Sequence, residues 1–424
     1  MKHPLSLLCF VGQFAVVIAW TLKGGEDAWS RRDWLHAAGI AASTLVGNPS
    51  PSLAVPSSTK EYDYDLPVAT NPPAGRFYFP ALTPPFSGRA TYRYSLGRRA
   101  WALEQLLTFA NVSATIRCNV IQLQETGGLW VHSPQWPTGE FCSLLDDLEA
   151  PVEHVVLPCN AFEHKAPMKA FLQKYPKAQV WVAPGQFGPL GSCGQSLQEP
   201  CNMGYRVDGI LGPDQPQPSW ANEFDIATLY VEIPKNAGPV SEVAFCHRPT
   251  KTLVATDAVV YVPGGPAPEI FSTYFEPDEV GDPNFWPQTV LQAVFLPLRT
   301  DSDGSFPGYE AIKNRLVRAP ILRALVDARA PDAVREWIQQ QTTQWEFDRI
   351  ITSHFASPIQ ATPVDVRNAF GYLFSEDPSK LDASLPPVAC QDWELLDGIN
   401  QFVAKANAGA PAVFDFQRGC RNDY

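Results

Sequence analysis

His154-Val155-Val156-Leu157-Pro158-Cys159-Asn160-Ala161-Phe162-Glu163-His164-Lys165 is the stretch whose reading decides the fold. A short apolar run stopped by proline reads as a buried strand, because proline donates nothing to a ladder and drives the residue before it into extended backbone. Cys159, Glu163 and His164 follow immediately, and thiol, carboxylate and imidazole are the side chains that bind metals or move protons. Apolar spacing over 166–175 predicts a helix packed back on that strand, and 179–183 predicts the next strand. Strand, polar loop, helix and strand make an α/β unit, in which sites form on loops at the carboxyl ends of strands.

Working outward, alternation over 114–120 and 128–133 predicts two antiparallel strands joined by the Glu125-Thr126-Gly127-Gly128 turn, with a helix over 139–148. Strands are expected at 226–233, 242–246 and 252–256, the last two forming a hairpin across Arg248-Pro249-Thr250-Lys251. Helical patterns surround Val290, Ile321 and Val334, a strand is expected at 349–351, and a helix over 364–374. Residues 184–222, rich in Gly, Pro and Gln, are too long for a connector and read as an insertion covering one face. The 41 prolines among 424 residues argue against a helical bundle or repeat array.

The termini read differently. Residues 5–19 form an apolar run too short to span a bilayer, where roughly 17–25 residues are needed, and shaped like a secretory signal. Ser30-Arg31-Arg32 then precedes an Ala-rich stretch ending at Ser52-Leu53-Ala54, as in a twin-arginine export signal. Tandem signals resemble the addresses of proteins entering a thylakoid lumen, so the expected location is a plastid. The expected layout is a targeting region over 1–54, a Pro-rich linker over 55–97, one domain over 98–374 and a tail over 375–424. Removing 1–54 leaves 28 Lys/Arg against 41 Asp/Glu, a net charge of −13, which excludes nucleic acid and anionic membrane surfaces as expected partners. No later segment is apolar enough to span a membrane, and the expected partner is a small molecule or a protein. Cys193 and Cys201 are close enough to pair in an oxidising lumen, while the other cysteines, scattered singly, read as buried small hydrophobes.

The opening stretch resembles the metallo-β-lactamase superfamily, whose corresponding strand ends in Leu-Thr and is followed by HxHxDH. Cys159 stands for the first His, Ala161 for the second, Glu163 for the Asp and His164 for the last His. Thr252-Leu253-Val254-Ala255-Thr256-Asp257 resembles the strand ending in the metal-bridging Asp, and Ile350-Ile351-Thr352-Ser353-His354 the late strand ending in the final His. Lys235-Asn236-Ala237-Gly238 stands where a further His is usual. Gly128-Leu129-Trp130-Val131-His132-Ser133-Pro134, Val182-Ala183-Pro184-Gly185-Gln186 and Arg349-Ile350-Ile351-Thr352-Ser353-His354-Phe355 are similar to plastid and cyanobacterial proteins grouped as domain of unknown function 4336, a metallo-β-lactamase-like family. The resemblance covers roughly 98–374. It implies an α+β fold, the αββα sandwich, carrying an insertion loop and a helical C-terminal extension.

It also implies a reduced metal site. One of the two usual positions has lost its imidazoles, and the other is nominally complete as Glu163, His164, Asp257 and His354. Those residues suit at most one divalent metal, zinc, iron or manganese. Cys159 and His247 read as structural. Three functions stay open. The first is a hydrolase of thioesters, lactones or phosphoesters in which one metal activates water. The second is a non-catalytic lumenal binding or assembly protein on the same fold. The third is redox use of Cys159 beside Lys165. No Gly-rich phosphate loop or GxSxG elbow is visible.

Overall fold

The computed structural model describes residues 82–83, 89–109, 112–186, 204–232, 239–375 and 389–406, together with Asp415, Gln417 and Cys420. The first sheet holds β1 (Leu82–Thr83), β2 (Tyr92–Gly97), β3 (Ala100–Phe109), β4 (Val112–Gln122), β5 (Leu129–His132), β6 (Val152–Leu157), β7 (Gln179–Val182) and β8 (Gly209–Ile210). Their order is β1-β3-β4-β5-β6-β7-β8, with β2 also on β3. Pairing is antiparallel as far as β5 and parallel from β5 to β8. The second sheet contains β9 (Phe224–Glu232), β10 (Pro239–His247), β11 (Thr252–Val254), β14 (Arg349–Ile351) and β15 (Ile359–Gln360), in the order β15-β14-β11-β10-β9. A small pair, β12 (Val260–Tyr261) and β13 (Leu316–Val317), stands apart.

Alternation along the strands builds three apolar layers, because successive side chains point to opposite faces of a sheet. Val155, Leu157, Val180 and Val182 face outward onto helices α1 (Gly139–Asp146) and α3 (Met168–Lys174), which precede and follow the one-turn α2 (Phe162–Lys165). Their neighbours Val156 and Trp181 face the other sheet, meeting Val243, Phe245, Val254 and Ile351. Ala244, Cys246, Leu253 and Ile350 then face the outer helices α4 (Phe285–Ala293), α5 (Pro331–Gln344) and α6 (Pro363–Ala369) through Val290, Val334, Ile338 and Phe370. Helix, sheet, sheet, helix is the αββα sandwich that the sequence predicts.

The middle layer is aromatic. Trp130 stacks on Phe224 with ring centroids 4.6 Å apart and meets Phe245 edge-on at 5.1 Å and Trp220 at 5.6 Å. Offset and edge-on arrangements suit ring quadrupoles and add about 0.5–1.5 kcal/mol per pair beyond burial. Trp220 enters from the expected insertion, whose described part also adds β8 to the first sheet. That segment therefore completes the sandwich as well as covering it.

Two expectations need correction at the ends of the domain. Tyr92–Gly97 falls within the stretch read as linker, yet it is a strand paired with β3. Its Tyr92-Arg93-Tyr94 alternation was hidden by the prolines before it. Among the cysteines read as single hydrophobes, Cys390 and Cys420 form a disulfide across the tail, beside helix α7 (Glu394–Ala406). Cys193, Cys201, residues 1–54 and Lys235-Asn236-Ala237-Gly238 lie outside the described residues. No helix among the described residues is long and apolar enough to cross a membrane.

Candidate metal centre

Parallel pairing puts like ends of strands together, and that builds the site. The carboxyl ends of β5 and β6 in one sheet carry His132, Ser133 and the loop to His164. Those of the parallel β11 and β14 in the other carry Asp257 and His354. The sandwich brings both sets to one rim, so residues about 90 to 190 positions apart become neighbours.

Each loop is pinned by buried polar groups. The 158–161 loop is stapled to β10: the Val243 amide donates to Pro158 O at 2.8 Å, the Ser241 amide to Asn160 Oδ1 at 3.2 Å, and Cys159 bridges Glu242. Gln186 Nε2 donates to Cys159 O at 2.9 Å. The Asp257 loop wraps round one carboxylate oxygen, Glu242 Oε1, which accepts from the amides of Thr256, Asp257 and Ala258 at 3.1, 2.9 and 2.8 Å. The His354 loop is held by same-face residues of β4. Thr115 Oγ1 accepts from the Phe355 amide at 3.2 Å, and Arg117, itself ion-paired to buried Glu104 at 2.6 Å, donates to Phe355 O. Ser133 and Phe355 both adopt left-handed backbone, at φ of 53° and 54°. Such strain at non-glycine residues persists where surrounding contacts over-determine it.

His164 is fully buried, and its Nδ1 meets Ser133 Oγ at 2.5 Å. Its Nε2 lies 3.5 Å from Asp257 Oδ1, beyond good hydrogen-bond distance, and has no hydrogen-bond partner. His354 is anchored alike: Nδ1 donates to Thr115 O at 2.7 Å, and Nε2 stands 3.2 Å from the same Asp257 oxygen. Two further groupings overlap on His164. Donor atoms of Glu163, His164 and His354 lie within 4.8 Å of one another, as do those of Cys159, His164 and Asp257.

Bonds of about 2.0–2.2 Å to one ion place two neighbouring ligand atoms roughly 3–3.6 Å apart in octahedral or tetrahedral geometry. Both Asp257 separations match that spacing. An orphaned, fully buried imidazole nitrogen whose other nitrogen is anchored is also how metal-ligating histidines are held. The donor set therefore fits a divalent ion.

The electrostatics agree with a cation at this point. Burial would strip the charge from His164, but the facing Asp257 carboxylate, with Glu163 and Glu242, overrides burial and raises the ring above the ordinary imidazole value. Burial likewise opposes the charge on Asp257, yet the two imidazoles hold its carboxyl far below the usual carboxylate range. Burial and the Asp257 charge push Glu242 up to about 7 against the pull of Arg318 and the amides. Burial, then repulsion from His164, brings His132 down to about 3. Burial and the carboxylates of Asp257, Glu242 and Glu163 push the Cys159 thiol well up. A reactive thiolate needs the opposite surroundings, so redox use of Cys159 loses its physical basis although Lys165 is adjacent.

His247 sits away from the rim, its Nε2 on Glu223 at 3.1 Å and its Nδ1 on Thr250 Oγ1 at 2.7 Å, a structural role as expected. Sequence reasoning missed Ser133, Glu242 and Thr115. Only Glu242 left a trace, as a lone carboxylate in the otherwise apolar run Val243-Ala244-Phe245-Cys246 and its approach. The roles of Ser133 and Thr115 exist only through contacts across the sheets.

The chain belongs to the family described as domain of unknown function 4336, which it matches over residues 98–289 and 297–372, more than half its length. No curated protein matches it. Similar solved structures include a metallo-β-lactamase from Pontibacter korlensis, 9% identical, covering 68% of this chain and 100% of that one at a TM-score of 0.36. A putative diflavin flavoprotein fragment from Nostoc is 10% identical, covering 67% and 95% at 0.38. The mono-zinc form of the Pseudomonas aeruginosa metallo-β-lactamase FIM-1 is 8% identical, covering 75% and 97% at 0.35. The fold is an αββα sandwich, two sheets packed face to face between outer layers of helices.

Proposed function

We propose that this chain is a hydrolase of ester-type bonds (thioester, lactone or phosphoester) that works with at most one divalent metal, zinc, iron or manganese, held by Glu163, His164, Asp257 and His354. One observation carries the reading: two imidazoles, each anchored through Nδ1, present Nε2 to the same Asp257 oxygen at ligand-to-ligand spacing. A bound divalent ion supplies a water whose pKa falls to about 7 and a charge that polarises the bond to be broken. Asp257, ionised, is partly exposed together with Glu163 and His354, so a substrate would arrive on that side. Ser133 and Thr115 keep the imidazoles turned toward Asp257, while buried His164 and His132 back the site and keep water from its inner side. Tandem N-terminal signals and the Cys390–Cys420 disulfide support an oxidising compartment, the lumen of a plastid thylakoid.

A second reading, a lumenal binding or assembly protein, is favoured by the same Asp257 if a protonated His164 simply clamps it, for the raised His164 suits such an ion-paired remnant. Metal per chain separates the two. The hydrolase reading expects up to one equivalent of zinc or manganese in the purified chain and much less in His354→Ala. It also expects metal-dependent turnover of at least one member of a thioester, lactone and phosphoester panel. Zero metal in both proteins after loading would leave the binding-protein reading, and two equivalents lost together would contradict the ligand set.

A further inference from the structure

Cys159 is the one donor in the cluster that the ligand set above leaves out. It is 2% exposed. Cys118 and Cys246, the other fully buried free thiols described, sit inside the apolar layers flanking the two sheets, whereas Cys159 belongs to none of the three layers. Its surroundings are Asp257, Glu242 and Glu163. A small hydrophobe gains nothing from three carboxylates, while a thiolate among them needs a cation.

We infer that Cys159 is a further ligand of that ion, its sulfur joining His164 and Asp257 of the proposed set in a sulfur, nitrogen and oxygen triad that selects a thiophilic divalent ion. This rests on the reading that the cluster takes a metal and deepens it by naming the donor that selects the ion. The donor atoms of the triad lie within 4.8 Å of one another. Fully buried His164 brings a ring nitrogen without a hydrogen-bond partner, so a polar atom is already withdrawn from water there with only the Asp257 carboxylate, 3.5 Å away, beside it. Cys159 is held in place by its backbone, through Gln186 Nε2 on its carbonyl and the bridge to Glu242.

On binding, the S–H bond breaks, the sulfur–metal bond forms with the thiol's electron pair, and the proton leaves to solvent, with no change of oxidation state. Thiolate and carboxylate together neutralise a dication. Sulfur also shifts selectivity toward zinc and cadmium and away from manganese and magnesium, which prefer oxygen.

The test is titration of the full chain with cobalt(II) and cadmium(II), read by absorption. Wild type is expected to take up one cobalt with a thiolate-to-cobalt charge-transfer band in the near ultraviolet. Cys159→Ser, its fold checked by circular dichroism, is expected to lose that band. Its cadmium affinity should fall by more than the roughly 10–100-fold typical of losing an outer-shell partner. Glu163→Gln should keep the band. One cobalt bound to wild type without the band overturns the inference and leaves the metal reading standing, and this arm needs no variant to fold. A band that persists in Cys159→Ser also overturns it. No cobalt bound at all overturns both.

Discussion

Glu242→Ala should be among the most damaging single changes in the protein, although sequence reasoning did not place the residue in the site. One oxygen of this buried side chain accepts three amides, from Thr256, Asp257 and Ala258, at 3.1, 2.9 and 2.8 Å. Removing it strands three donors. Each buried amide left unpaired costs about 1–3 kcal/mol. Partial access of water at the half-exposed Asp257 edge holds the expected total to roughly 3–6 kcal/mol. Glu242→Gln keeps a carbonyl oxygen at the same reach and should cost no more than about 1 kcal/mol. The two variants also differ in pH dependence. Because the Glu242 pKa rises from 4.5 to about 7 on folding, the folded chain binds more protons than the unfolded one between those values. Its contribution therefore weakens as pH rises through that window. Glu242→Gln removes the slope and should gain on wild type from pH 5 to 8. Urea unfolding at three pH values measures both effects. An Ala variant within about 1 kcal/mol of wild type, or a Gln variant as weak as Ala at pH 8, would refute the idea that this oxygen shapes the Asp257 loop.

Two other outcomes follow from buried groups and a third from the disulfide. His132, brought down to about 3, binds a proton in the unfolded chain near pH 6.5 but not in the folded one, so its contribution is lost as pH falls from 6.5 towards 3. That loss amounts to roughly 4–5 kcal/mol, and His132→Phe should flatten the acid limb of a stability curve. Arg318 and Asp327 pair fully buried at 2.8 Å, with Tyr372 donating to the same carboxylate. Arg318→Met leaves that charge unpaired and should cost about 3–5 kcal/mol in denaturant midpoints, whereas the double change Arg318→Met with Asp327→Leu should recover much of it. The Cys390–Cys420 disulfide closes a loop with a sequence separation of 30. Chain entropy sets its contribution at about 3–4 kcal/mol, so Cys390→Ser with Cys420→Ser should raise hydrogen exchange first in α7.

The sequence by itself determined the strands and helices that flank the site, because period-2 apolar runs stopped by proline leave little choice of conformation. It also determined the chemistry on offer. Five histidines follow residue 54, and two of them, His164 and His354, stand beside Asp257 at the rim. Tertiary structure alone decided which donors meet. His354 and Asp257 are 97 positions apart and become neighbours because β11 and β14 pair in parallel, bringing their carboxyl ends together. Cys159 read as a structural thiol because a cysteine in an apolar stretch looks the same whether it packs or ligates. What bears on the choice is the company of Asp257 and Glu242, which arrives from other strands. Tyr92–Gly97 read as linker for a related reason: an edge strand is stabilised by the hydrogen bonds of its partner β3, and those partners are not encoded in its own residues.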